Sequence, residues 1–173
     1  MAKRQAAGAG AAAGRRDDAV SYASGTAVPV ERSKAEIERA LARYGCSEFG
    51  TGWAKHNGMD FAHVTFKHGN TSIMLGLPMP PAADFMYDAR GRERGQATAE
   101  EFYAAEKRRR WRALLLVIKA KLEAVSSGIS TLEREFLSDV VLPNGQTLGA
   151  WAVPMLGEIQ SGRLALPAHT EAT

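Results

Sequence analysis

The stretch from Thr98 to Gly128, TAEEFYAAEKRRRWRALLLVIKAKLEAVSSG, constrains this chain more than any other. It is the longest uninterrupted helical signal and holds both the most apolar run, Leu114 to Ile118, and the most basic run, Lys107 to Arg110. Thr98 and Glu101 read as a capping box, and Gly128 as a left-handed stop. At ~1.5 Å per residue such a helix spans roughly 40–45 Å, about the width of a domain. Steps of 100° place Trp111, Leu114, Leu115, Ile118, Leu122 and Val125 on one stripe. Leu116 and Val117 fall off that stripe, which predicts burial of the middle on more than one side. Arg109, Arg112 and Lys119 lie on one flank, Arg110 and Lys121 on the other. Four-residue spacing pairs Glu106 with Arg110 and Lys119 with Glu123. A helix of this kind has to be the core of its domain.

Residues 49–77 supply the surface for it to cover. Asn57-Gly58 is a preferred two-residue hairpin turn, and it sets Trp53 opposite Ala62, Thr51 opposite Val64, Phe49 opposite Phe66 and Lys55 opposite Asp60. A second turn at Gly69-Asn70, rather than at His68-Gly69, matches Phe66 with Ile73, Val64 with Leu75 and Ala62 with Leu77. Gly in first position suits a type II′ turn, and apolar residues then meet apolar residues across strands. The result is a three-stranded antiparallel meander. One face carries Phe49, Thr51, Trp53, Ala62, Val64, Phe66, Ile73, Leu75 and Leu77. By alternation the other carries Gly50, Gly52, Ala54, Phe61, His63, Thr65, Ser72, Met74 and Gly76. His63 falls between Gly52 and Gly76, with room on both sides. That second face reads either as a binding platform centred on Phe61, His63 and Met74 or as a solvated sheet face.

The remaining segments fit around this pair. Residues 1–28 are Ala, Gly and short charged pairs, too poor in apolar side chains to offset ordering entropy, and read as a disordered arm. Ser33 and Glu36 form a second capping box, with Ile37, Ala40, Leu41 and Tyr44 on one face and Gly45 ending the helix. Residues 78–97, opened by Pro78, Pro80 and Pro81, form a connection of about twenty residues, a length that usually marks a functional loop or disorder. Arg90, Arg92 and Arg94 stand there among glycines, as an anion-contacting loop or a solvated linker. After Gly128, a third capping box at Ser130 and Glu133 opens a short helix with Leu132, Phe136 and Leu137 inward. Val140-Val141-Leu142 then reads as a strand entering a Pro143-Asn144-Gly145 turn. A last helix has Leu148, Trp151, Met155 and Ile159 on one side and Gly162 as its stop, with Pro154 either kinking it or sitting in its first turn. Residues 167–173 read as a frayed tail. The expected architecture is a single α+β domain over 29–166, a meander packed on one long helix with shorter helices beside it.

Chemistry is scarce in this pattern. Cys46 is the single cysteine, so no intrachain disulfide framework exists, and the usage suits a reducing cytoplasm. No apolar run reaches the roughly 18 residues of a membrane span, and no membrane partner is expected. Lys3 and Arg4 precede a stretch with no Leu, Ile, Val or Phe before Val20, too weakly hydrophobic for a signal peptide. His56, His63, His68 and His169 show none of the zinc spacings with Cys46. There is no phosphate-cradling Gly-rich loop with Lys-Ser/Thr and no GxSxG elbow, and Glu100-Glu101 sit at a helix start, where they complement the dipole. No metal, cofactor or catalytic residue is therefore expected, and a non-enzymatic role is favoured.

What is left is a basic cluster: Arg90, Arg92 and Arg94 in the loop, then Lys107, Arg108, Arg109, Arg110 and Arg112 on the helix. Phosphate contacts need such charges, so DNA or RNA is one expected partner. The net charge of +3 does not decide the matter, because only its distribution could. Helix, three strands, helix is also the element order of double-stranded RNA-binding domains, although the loop before the long helix is far longer here and no Gly-Pro-x-His loop occurs. The other expected partner is a protein, bound through the Phe61, His63 and Met74 face, or a second copy in self-association.

Over roughly residues 28–166 the chain resembles a family of small uncharacterised phage and prophage proteins. The likeness rests on RWRALLLVIKAKLEAVSSGISTLEREFL followed by VLPNGQTLGAW, and on the meander ending in LGLPMP. The resemblance implies a viral or mobile-element context in a host cytoplasm, and carries over no functional residues. It leaves two readings: an accessory protein on nucleic acid through the basic cluster, or a module that binds a host or phage protein.

Overall fold

The computed structural model describes residues 27–56 and 59–163; the Asn57-Gly58 turn, the arm up to residue 26 and the tail from 164 lie outside the described residues. Helix α1 (Val30–Ala42) leads into three strands, β1 (Cys46–His56), β2 (Met59–His68) and β3 (Thr71–Pro78). A 3-10 turn (Ala82–Phe85) precedes the long α2 (Gln96–Ser126), followed by α3 (Leu132–Glu135), a second 3-10 turn (Leu137–Asp139) and α4 (Leu148–Gln160). The sheet is antiparallel in the order β1-β2-β3. This is the α+β arrangement expected, a meander packed on one long helix.

The strands keep the expected register over most of their length. Trp53 pairs with Ala62, Thr51 with Val64 and Lys55 with Asp60. Phe66 pairs with Ile73, Val64 with Leu75 and Ala62 with Leu77. Gly69 takes a φ of 56° while Asn70 keeps a negative φ, the pattern of a type II′ turn. One pairing differs. A bulge between Ser47 and Gly50 leaves Glu48 and Phe49 together opposite Phe66, with Glu48 at a φ of 54°.

Ala62, Val64, Phe66, Ile73 and Leu75 of the sheet close on Trp111, Leu114, Leu115, Ile118 and Leu122 of α2, with Ile37 and Leu41 of α1. Phe136 completes this core, its ring edge-on to Phe66 at 5.5 Å and 87°. The expected stripe of α2 is therefore the buried one, but only that stripe. Val117 is exposed and Leu116 half-buried, so the helix is covered from one side. Coverage also fades along β1: Cys46 and Phe49 pack against the core, but Thr51 is exposed and Trp53 is 55% exposed, although both belong to the core-facing side.

The helix starts depart from the expected capping boxes, outward at α1 and α2 and inward by one residue at α3. Helix α1 begins at Val30 after Pro29, whose carbonyl accepts from the Arg32 and Ser33 amides, and Ser33 is buried one turn inside. Helix α2 begins at Gln96 after Gly95 with no side-chain cap, so Thr98 is interior. At α3 the cap is Thr131, not Ser130; its Oγ1 accepts from the Arg134 amide. In each case packing and backbone geometry admit an extra turn or shift the cap by one residue. The stops hold. Gly128 (φ 69°) and Gly162 (φ 72°) are both left-handed, and Ile129 N–H donates to Ala124 O and Arg163 N–H to Glu158 O, the six-to-one bond of a Schellman motif.

Two further expectations change. Leu137 turns outward, and Val140-Val141-Leu142 makes isolated bridges rather than a strand, Val140 to Ile73 and Val141 to Thr147. Pro154 lies inside α4, past its first turn, where it removes the amide that would bond to Ala150.

Candidate functional site

Most arginines of the basic cluster are engaged by their own chain. Asp88 organises residues 86–94 into a small hairpin, its Oδ1 accepting from the amides of Arg90 (2.8 Å) and Arg92 (3.0 Å) and its Oδ2 from Arg92 Nε (2.9 Å). Those bonds, the Arg92 amide first, hold the Asp88 carboxyl below its ordinary range. Gly91, at a φ of 75°, closes the turn, and Tyr87 bridges Glu93. Arg94 donates to the carbonyls of Phe85 and Tyr87, and its guanidinium lies 4.5 Å from the Phe102 ring centroid. This connection is ordered, and Arg94 is its clamp. Arg94→Ala should speed amide exchange across 86–94 about tenfold, the loss of roughly 1.4 kcal/mol of local stability, as read by hydrogen–deuterium exchange.

On α2 the pattern repeats. Glu106 accepts from Arg109 Nε (2.7 Å) and Nη2 (2.6 Å) and from Arg110 Nε (2.7 Å). Arg110 also donates to the Pro78 carbonyl, tying α2 to the end of β3. Arg112 and Lys119 converge on Glu36 of α1 at 3.2 and 3.3 Å, so Lys119 takes that partner and not Glu123. Lys107 lies 4.6 Å from the Tyr103 ring centroid, and Arg108 has its Nε buried without a partner. Arg90 is exposed at the hairpin tip. The cluster is thus dispersed over a loop, a helix flank and the α1–α2 seam, with much of its charge paired.

The second face of the meander is arranged differently. The buried strand residues all belong to the other face, and Phe61, His63, Thr65 and Met74 are half-buried, outside the core cluster. His63 pairs with Gly52 on one side and Gly76 on the other. Its ring lies over Gly52 so closely that a Cβ there would stand 2.5 Å from Nε2 and 2.6 Å from Cε1. Thr65 does the same over Gly50, with Oγ1 2.9 Å from where a Cβ would be. The glycines of β1 let side chains of β2 fold across them, which leaves that face low above β1. His63 Nδ1 is buried without a hydrogen-bond partner, and the Phe61 ring stands 6.2 Å away. The ring also serves structure, covering a glycine that would otherwise expose backbone.

Helix α4 was not singled out by its sequence and is the other unusual surface. None of its residues is buried, and Trp151, Val153 and Leu156 are exposed. The signal was present: LGAWAVPMLG contains no charge, whereas a helix with one solvated face normally carries several.

Among the described residues the other candidates are weaker. A shallow, mostly apolar cavity of about 290 Å³ lies between Ala82, Ala83, Met86, Ala99 and Tyr103, and the polar residues on its lining, Gln96 and Glu100, are hydrogen-bonded to each other. Cys46 is half-buried, and burial pushes its thiol up, away from a reactive thiolate. Among the described residues no three His, Cys, Asp or Glu side chains gather to hold a metal, and no helix is long and apolar enough to cross a membrane. No family model, curated protein or solved structure matches the chain.

Proposed function

We propose that this protein is a binding module for another protein, with the Phe61, His63 and Met74 face of the meander as its docking surface. The observation that carries the reading is the one-sided core of the sheet: its buried residues all face the helices, while Phe61, His63 and Met74 on the other face are half-buried and lie outside the core cluster. The low relief above Gly50 and Gly52 suits a flat partner surface. The resemblance to phage and prophage proteins supports a host or phage protein as that partner. Nucleic acid is the weaker reading, because Arg92, Arg94, Arg109, Arg110 and Arg112 already serve partners within the chain.

The test compares immobilised wild type with His63→Glu and Met74→Glu, each checked for native circular dichroism. A protein retained by wild type should bind both variants at least tenfold more weakly, since a charge placed in an apolar contact costs more than about 1.4 kcal/mol. Equal retention by all three removes this face from consideration. Titration of wild type with single- and double-stranded DNA and RNA at two salt concentrations separates the readings. Strong binding that falls steeply with salt would favour the basic cluster instead.

A further inference from the structure

The two edges of the sheet are treated differently. At β3, Val140 bridges Ile73, the Val141 amide donates 2.8 Å to Ser72 O, and Arg110 holds the Pro78 carbonyl. At β1, among the described residues, the only strand partner is β2. Edge strands left open normally carry charge, proline or a bulge as protection against pairing. Here the bulge is confined to Glu48 and Phe49, and the straight run from Gly50 to His56 has no proline and a single lysine, Lys55, near its end.

From this edge we infer that the protein forms a two-fold dimer by antiparallel pairing of β1 with β1 of a second copy, centred on Trp53. Counting bonded pairs outward from the two-residue turn at Gly69-Asn70 leaves the amides and carbonyls of Thr51, Trp53 and Lys55 on the outer edge of β1. Trp53 is the midpoint of the straight run, Gly50 to His56. A two-fold axis there lets the two Trp53 residues exchange both backbone bonds, with Thr51 of each copy opposite Lys55 of the other. The side-chain pattern is self-complementary about the same axis. On the outer face Gly52 meets Ala54, small against small. On the core-facing side the two indoles stand side by side, which explains a tryptophan left 55% exposed just beyond the cover of α2. The product is a continuous six-stranded sheet, and two-fold pairing of this kind is the commonest symmetry of soluble oligomers.

The inference does not depend on the sheet-face reading above, and its test is separate. Sedimentation equilibrium of the full chain should show a dimer in the micromolar range. Trp53→Lys and Thr51→Pro should each raise the dimer dissociation constant at least tenfold. Lysine at a half-exposed position and proline at an outward-facing amide both leave the monomer fold in place, as circular dichroism would verify. Met74→Glu, on β3 at the far side of the sheet, should leave the dimer intact. In wild type the Thr51 and Trp53 amides should gain exchange protection as concentration rises. A monomer at all concentrations, or a dimer indifferent to both β1 variants, overturns the proposal; the second outcome would move the contact to another surface such as α4.

Discussion

Replacing Trp111 by alanine is expected to lower the stability of the fold by about 3–5 kcal/mol, the usual cost of deleting a buried aromatic side chain. Trp111 is 1% exposed and belongs to the core cluster that joins α1, α2 and the sheet. The Lys34 ammonium lies 5.1 Å from its ring centroid, so one side chain serves apolar packing and a cation–π contact together. Removing it opens a cavity that helices and a sheet cannot close without moving as bodies. For a domain of this size the loss corresponds to a fall in Tm of roughly 10–15 °C. Trp151→Ala is the control, because Trp151 is 47% exposed and should cost no more than about 1 kcal/mol. Thermal unfolding of both variants decides the point. Equal losses would mean that α2 is not the lid on the meander.

The second large effect is expected at Glu106. Its carboxylate is largely sheltered and takes three charge-assisted bonds from Arg109 and Arg110, and Arg110 in turn grips the end of β3. Glu106→Gln should cost about 1.5–3 kcal/mol, since two guanidinium groups lose their counter-charge while remaining partly buried. Burial by itself would raise the Glu106 pKa, but the bonds from Arg109 and Arg110 outweigh it and leave the value below 4.5. Glu36 behaves alike, with Lys119 and Arg112 overcoming burial. For carboxyls depressed in the folded state, the stabilisation is present above the unfolded pKa and is lost as pH falls through the folded one. Wild type should therefore lose stability on acidification below about pH 4.5, and Glu106→Gln should lose less over the same interval. Asp139 works against this trend: burial outweighs Lys121 and raises its pKa, so protonation recovers some stability as pH falls. Urea unfolding at neutral pH and at about pH 3.5 measures the difference between the two proteins. Identical slopes would exclude Glu106 as a contributor.

Both effects were unequally legible in the amino-acid sequence. Trp111 was visible as a member of the α2 stripe, because a 3.6-residue period records which face of a helix is apolar. The Glu106–Arg110 pair was visible for the same reason, four residues being one turn. The hold of Arg110 on Pro78 and of Arg112 on Glu36 was not, because these partners lie 32 and 76 residues away in the chain. Asp88 shows the limit at short range. A loop that looked like loose basic charge is an ordered hairpin because one carboxylate collects two amides and a guanidinium, which composition does not reveal.

The candidate surfaces divide in the same way. The sequence determined the order of the main elements, the helix stops at Gly128 and Gly162, and the register of the meander beyond the bulge at Glu48 and Phe49. Each is a local property: glycine at a positive φ, a two-residue turn, or alternation with a period of two. It also placed Phe61, His63 and Met74 together on one face. Tertiary structure alone decided that this face stays outside the core, that Trp53 and Val117 escape burial while Trp111 does not, and that most of the cluster arginines are held within the fold. Burial and pairing depend on how far a packed neighbour extends. That length is set by where α1, α2 and the 78–97 connection come to rest against the sheet, and no local pattern encodes it.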